Sequence, residues 1–268
     1  MIEQYWGLSR KPFANSPDPA FIYHSPAFDE GFARLLYDVT EIRGGLSLVT
    51  GDVGCGKTML ANALVARLAG TPHAVSVLVT PRLTPAQLLG ALASLLAMDK
   101  PPRAKPALVA ALGEHLAAVH ASGRRPVLLV DEAQLVPNAL LEEIRLLTNY
   151  EGPTEKYLHV VLLGQPELRD RVAKAPQIDQ RVSLRYHIDP LDADEVAAYV
   201  RHRLQVAGAN GKAATIFGDD ACVALAERSS GVPRLVNNLA TQALFVGAMQ
   251  RRPAIDADLV NAVADDRE

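Results

Sequence analysis

The chain is poor in the residues that would mark a secreted, metal-bound or membrane-inserted protein. Two of its 268 residues are cysteine, one is tryptophan, and aromatics reach only 5%. Two thiols, Cys55 and Cys222, make no disulfide framework, so the reducing cytoplasm is the expected compartment. Neither sign of charge dominates: 27 Lys and Arg stand against 30 Asp and Glu, for a net charge of −3. That balance demands neither nucleic acid nor an anionic membrane, although it leaves room for a local basic patch. Long apolar runs are missing too. The longest, Leu88 to Met98, has helical spacing and is too short to span a bilayer. The first eight residues lack the basic and apolar segments of a secretory signal. Among the histidines, His115 and His120 are five apart, off the i, i+4 face, with no cysteine or carboxylate at ligand spacing. No histidine metal site and no Ser-His-Asp constellation is evident. A soluble chain with no membrane span is expected.

What is present is the octapeptide Gly51-Asp52-Val53-Gly54-Cys55-Gly56-Lys57-Thr58, spaced G-x-x-x-x-G-K-T. Such a loop wraps backbone N–H groups around a polyphosphate, and its glycines permit turns and close approaches that a Cβ would block. Lys57 is placed to reach the β- and γ-phosphates and Thr58 to offer its hydroxyl to Mg²⁺. The apolar run Leu46–Thr50 before it suits a buried strand. From Met59 to Leu68 apolar residues recur at helical spacing. Strand, glycine loop and helix together aim a helix N-terminus at the phosphates. Cys55 reads as a small residue at a variable loop position.

Along the chain, the first two dozen residues are rich in proline and aromatics and read as an extended strap. Ser25-Pro26 then opens a helix with Phe28, Phe32, Leu35, Leu36 and Val39 on one face, ended by Gly44-Gly45. Strands at 74–79, 127–130, 158–163 and 183–188 alternate with helices, which predicts a parallel sheet covered on both faces. Beyond about Asp189 the segments 192–208, 219–229, 232–249 and 256–265 all read as helices. The expected organisation is a strap and helix packed on the core (1–44), an α/β nucleotide-binding domain (45–189) and a small all-helical lid domain (190–268).

A second half of a catalytic site follows Val127–Val130. Asp131 and Glu132 come at the carboxyl end of that strand, the edge where open α/β sheets bind ligands. Asp131 is expected to hold Mg²⁺ and Glu132 to polarise the attacking water; the alternative is that both merely cap the next helix. Gln165, after the strand ending at Gly164, reads either as a γ-phosphate sensor or as a helix-start residue. Arg181 precedes a strand expected at the far flank of the sheet, from which it would reach a neighbouring copy's nucleotide; Arg185 is the second candidate. Gly231-Val232-Pro233-Arg234 opens a helix and is expected to turn Arg234 towards the γ-phosphate.

These parts resemble an AAA+ ATPase. Within that class, Tyr5–Leu8, Lys11–Phe13, Ser16–Pro19 and Phe21–Tyr23 resemble the opening segment of the ExeA/GspA family, general secretion pathway protein A. So do GDVGCGKT at 51–58, LVDEAQ at 129–134, LGQPEL at 163–168, Gln180-Arg181-Val182 and GVPRLVNN at 231–238. The resemblance implies a P-loop NTPase sheet with a helical lid. It also implies ATP and Mg²⁺ as cofactors, with Asp52, Val53, Cys55 and Met59 joining the nucleotide-binding loop. A homo-oligomer, ring or filament, with its arginine acting in trans is implied as well. Family members acting in secretion continue into a transmembrane helix and a peptidoglycan-binding region, which this sequence does not include. Three functions compete: an ATPase that assembles or remodels an envelope machine, an ATP-dependent DNA-binding regulator of transposition (TniB, MuB and TnsC types), and a non-hydrolysing nucleotide-gated scaffold. The intact Lys57, Asp131 and Glu132 count against the last. For DNA, the best basic cluster is Lys100–Lys105 with Arg124-Arg125.

Overall fold

A computed structural model describes residues 2–42, 45–79, 83–153 and 155–266; the expected helix stop at Gly44 lies outside them. In chain order the elements are α1 (Ile2–Tyr5), α2 (Pro26–Tyr37), β1 (Gly45–Gly51), α3 (Lys57–Leu68), β2 (His73–Leu78), α4 (Pro85–Leu95) and α5 (Lys105–Ala121). Then come β3 (Arg125–Val130), α6 (Asn138–Leu147), β4 (His159–Gly164), α7 (Pro166–Ala173), α8 (Pro176–Asp179) and β5 (Val182–Ile188). The chain continues with α9 (Ala193–Val206), α10 (Ala213–Ile216), α11 (Asp219–Ser229), α12 (Pro233–Met249) and α13 (Ala257–Asp265). It divides into two compact units: residues 30–51 with 60–188, and residues 1–29 with 52–59 and 189–268.

The first unit is an α/β sheet in the order β2-β3-β4-β1-β5, every pairing parallel. β1, β3 and β4 are buried almost throughout, which is why they are mostly apolar rather than alternating, with Ser47 and Thr50 as buried polar exceptions in β1. Leu88, Leu89, Leu112, Leu116, Leu140 and Ile144 from α4, α5 and α6 complete that core. The edge strand β5 mixes exposed and buried positions and carries charge, as exposed sheet edges do. α4 starts at a capping box in which Thr84 and Gln87 each satisfy the other's backbone N–H. After α2 the chain takes one π turn, Asp38–Ile42, and Gly45 belongs to β1.

The π turn delivers Asp38 to the amino ends of the strands, where a polar knot is buried. Ser47 Oγ donates to Asp38 Oδ2 (2.5 Å) and lies 2.7 Å from His159 Nε2, while Ser183 Oγ donates to the same Asp38 oxygen (2.9 Å). Burial pushes the His159 imidazole down to about 4, against the pull of Asp38. Ser, His and Asp therefore do meet, a grouping not foreseen from the sequence. Asp38, Ser47 and His159 are all buried, so no hydroxyl is presented to a substrate.

The second unit is helical, and its core includes residues from the N-terminal strap. Trp6, Phe13 and Phe21 are buried with Val196, Leu204, Phe217, Val236 and Leu259. The strap is not wholly extended: it holds α1 and a 3-10 turn, Pro19–Phe21, capped by Asp18. It is pinned by donors that need acceptors. Trp6 Nε1 donates to the Leu244 carbonyl (2.9 Å), and the buried Arg203 donates to the carbonyls of Pro12 (2.6 Å) and Ala14 (2.7 Å). Tyr199 donates to Asn237 (2.9 Å), Asn237 to Asn15 (3.0 Å), and Asn15 to Asn238 (2.8 Å).

Candidate active site

β1 ends at Gly51, and the loop from Asp52 turns at once, with the Cys55 amide donating to the Asp52 carbonyl (3.2 Å). Gly54 and Gly56 take φ of 94° and 103°, which side chains disfavour, and α3 begins at Lys57. The buried Lys57 folds back so that Nζ donates to the Asp52 carbonyl (2.8 Å). The start of α3 and the Lys57 ammonium are groups of the kind that could hold an anion. Val53 is half exposed. Asp52 and Thr58 are exposed, Met59 is partly covered and Cys55 is buried. Burial, then Asp52, pushes the Cys55 thiol above its usual range, which keeps it protonated and inert.

Arg234 comes to this loop. It sits in the first turn of α12 behind Pro233, and the preceding Gly231 has φ of 70°. A Cβ at Gly231 would overlap the Leu191 carbonyl, and the Leu191 amide donates to the Gly231 carbonyl (3.0 Å). The turn is thereby held, and the stem of Arg234 lies on Gly54. A Cβ at Gly54 would stand 2.6 Å from Arg234 Cβ and 3.2 Å from Val232 Cγ1.

In the sheet unit, β1, β3 and β4 run parallel, so Gly51, Val130 and Gly164 share the carboxyl edge. Asp131 is buried, and its Oδ1 accepts from the Glu132 amide (2.8 Å). Glu132 has a left-handed backbone, φ 51° and ψ 36°, at a cost of about 1–2 kcal/mol for a residue with a Cβ. Its Oε2 accepts from Gln134 Nε2 (2.6 Å). Gln165 is the residue that opens α7; its side chain makes no capping bond, and its amide donates to Gln134 Oε1 (3.1 Å). The reading of single residues in the sequence did not pick out Gln134, whose one signal there was its place in LVDEAQ.

The two arginines part ways. The expectation set the strand of Arg181 on the far flank, away from the phosphate loop. β5 is an edge strand, but its neighbour is β1, with Gly51 opposite Ile188. Direction is what separates Arg181 from the loop: it precedes β5, seven residues or about 20 Å from the Ile188 end. After burial, the nearby charge of Arg181 also holds the Lys156 ammonium below its usual range. Arg185 is occupied, donating to the Asp179 carboxylate (2.8 Å) and carbonyl (2.7 Å).

The basic cluster expected for DNA is divided. Lys100–Lys105 leads into α5 and Arg124-Arg125 follows it, so the two halves lie about 25 Å apart along a 17-residue helix. Lys105 is paired with Glu143 and Arg125 with Glu155. Among the described residues no helix is long and apolar enough to cross a membrane.

Comparison with known proteins supplies an independent view. A family profile described as an AAA domain matches residues 41–172. General secretion pathway protein A of Aeromonas hydrophila is 41% identical over 249 residues, covering 91% of this chain and 44% of the relative. The chain thus spans less than half the length of that curated relative. Among solved structures, the ORC2 protein of Aeropyrum pernix superposes with a TM-score of 0.68, over 96% of this chain and 72% of its own, at 16% identity. Cdc6p from Pyrobaculum aerophilum gives 0.71, over 91% and 67%, also at 16%. The RuvB Holliday junction branch migration motor of Thermotoga maritima gives 0.61, over 91% and 69%, at 16%. At such identity these structures speak for the fold alone.

Proposed function

Because an AAA domain profile matches residues 41–172 and the chain is 41% identical to general secretion pathway protein A over 249 residues, we propose that it is an AAA+ ATPase that binds ATP with Mg²⁺ and hydrolyses it as a homo-oligomer. The nucleotide state of that oligomer drives assembly or remodelling of a bacterial envelope machine of the secretion type. The observation that carries the reading is the carboxyl edge of the sheet, where β1 leads into the phosphate loop and β3 into Asp131-Glu132.

The residues fit the group they would hold. Around Gly56 an added Cβ would meet nothing within 4 Å, so the loop is open on that side, with the N-terminus of α3 and Lys57 to bind phosphate. Mg²⁺ uses one or two carboxylates with phosphate and water oxygens, and Asp131 and the Thr58 hydroxyl are donors of the type that would hold it. When bound, the ion neutralises charge on the phosphates and polarises them. Glu132 orients the attacking water and takes up its proton, and Lys57 holds the β- and γ-phosphates. Gln165 and Arg234 are the groups that sense the γ-phosphate, Arg234 through its seat on Gly54. Arg181, about 20 Å along β5 from Gly51, serves a neighbouring copy's nucleotide, with Arg185 in reserve. Free thiols and the need for ATP both support a cytoplasmic location, with a protein partner at the envelope.

The reading as a DNA-binding regulator of transposition loses its support in the divided basic cluster. The test is Glu132→Gln: nucleotide binding should persist while turnover falls to background and the assembled state is locked. Turnover near wild type would sink the assignment. Light scattering with ADP and with a non-hydrolysable ATP analogue, with and without duplex DNA, separates nucleotide-driven from DNA-driven assembly.

A further inference from the structure

Gln134 lies between two groups of the proposed reaction and has no role in it as described so far. Its side chain is bonded at both ends. Nε2 donates to Glu132 Oε2 at 2.6 Å, and Oε1 accepts from the Gln165 amide at 3.1 Å. A carboxylate only accepts and a backbone amide only donates, so the chemistry of the neighbours fixes which end of the amide is oxygen. The backbone of Gln134 is held as well. Arg171 Nη1 donates to its carbonyl at 2.6 Å, and Arg171 Nη2 donates to the Val136 carbonyl and to Asn138 Oδ1, each at 2.6 Å. Arg171 belongs to α7, the helix that Gln165 opens. The turn after β3 is therefore staked to the start of α7 at several points, with Gln134 as the link that ends on Glu132.

We propose that Gln134 is a positioning residue that sets the Glu132 carboxylate for the attacking water, an inference that rests on the ATPase reading above. Glu132 needs such a holder. Its backbone is left-handed, and a glutamate side chain has three rotatable bonds, the last of them broad and nearly two-fold. Left alone, the carboxylate would sample many orientations. The bond from Gln134 engages Oε2 and stops that rotation, which leaves Oε1 as the oxygen for the water. Because the other end of the Gln134 amide is tied to Gln165, a shift of Gln165 is passed directly to Glu132. Gln134 touches neither nucleotide nor water in this scheme and acts only through Glu132.

The test compares Gln134→Glu, which keeps the shape and removes the donor, with Gln134→Ala. Both should lower kcat by about 10- to 100-fold, the range expected for a misplaced catalytic group. The KM for ATP and the thermal midpoint should stay near wild type. Loss of fold or a rise in KM with kcat retained would mean a merely structural or binding role and would overturn the proposal. A second arm needs no turnover. In ¹⁵N-labelled protein the side-chain amide signal of Gln134, identified by its loss in Gln134→Glu, should move when Glu132→Gln is introduced; an unmoved signal overturns the contact. Wild-type kcat in Gln134→Glu alongside lost turnover in Glu132→Gln would refute the positioning role alone. Unchanged turnover in Glu132→Gln would refute the ATPase reading, and the positioning role with it.

Discussion

The two ends of the same five strands are built on opposite rules. At the amino end, Asp38, Ser47 and His159 are buried and bond one another, and Ser183 adds a donor from the exposed side of β5, so the Asp38 carboxylate is engaged within the fold. At the carboxyl end Glu132, directly after β3, has a left-handed backbone, and in the loop that follows β1 Gly54 and Gly56 have positive φ while Asp52 and Thr58 are exposed. A polar group closed off by its neighbours stabilises the fold. One beside strained backbone, as at Glu132, is where we place the proposed chemistry. Buried polarity by itself therefore says little about function.

Arg181 is the exception that tests this contrast, since it lies at the amino end by position and is assigned to catalysis on a second copy. Arg181→Ala should give the largest effect, a fall in kcat of about 10³–10⁵-fold with nucleotide affinity nearly unchanged. Mixing it with Lys57→Ala should restore part of the turnover if the arginine acts across an interface, and no recovery would count against that action. Next comes Glu132→Gln, with an expected loss of about 10²–10⁴-fold in steady-state ATP turnover and no change in the denaturation midpoint. These two changes should touch activity and spare stability.

The amino-end knot should do the reverse. Asp38→Ala strips acceptors from Ser47 and Ser183, and should cost about 3 kcal/mol in urea unfolding while turnover per folded molecule is kept. A loss of turnover without destabilisation would break the contrast. Its pH signature has a definite sign. The folded His159 titrates at about 4, below its unfolded value near 6.5, so the unfolded chain binds the extra proton first. Stability should be flat above about pH 6.5 and fall as pH drops towards 4, with the slope removed in His159→Gln. The smallest effect is expected from Arg185→Ala. It breaks an exposed pair with Asp179 worth less than about 1 kcal/mol and should leave turnover almost unchanged. A thousand-fold loss there would exchange the roles of the two arginines.

The carboxyl end was readable in sequence because its chemistry is local. Eight consecutive residues carry the phosphate loop, and Asp131-Glu132 follow directly on four apolar residues. The amino-end knot was not readable, because its members are drawn from positions 38, 47, 159 and 183 and only strand order brings them together. The π turn that aims Asp38 carries on the apolar face of α2 through Val39, so spacing alone does not set it apart from the helix. Gln134 escaped notice for a related reason: its partners include the amide of Gln165, 31 residues away, and a backbone amide leaves no trace in a pattern of side chains.

The strap makes the same point at the scale of a unit. Its proline and aromatic content suggested an extended segment, but not that Trp6, Phe13 and Phe21 would share a core with the helices beyond Asp189. Nor did it suggest that Arg203 would be buried to hold the strap's carbonyls.

What this sequence determined by itself was most of the regular elements from β1 onward and the spacing of the loop at 51–58. Both follow from spacing along a few neighbouring residues, 2 or 3.6 to the period, with glycines where the backbone must turn. Tertiary structure decided the rest. Strand order set β5 beside β1, parallel pairing put Arg181 at the opposite end of β5, about 20 Å from Ile188 and Gly51, and burial turned Asp38 and His159 into framework rather than site. Such outcomes depend on which distant surfaces lose water together, and no local spacing along a chain records that choice.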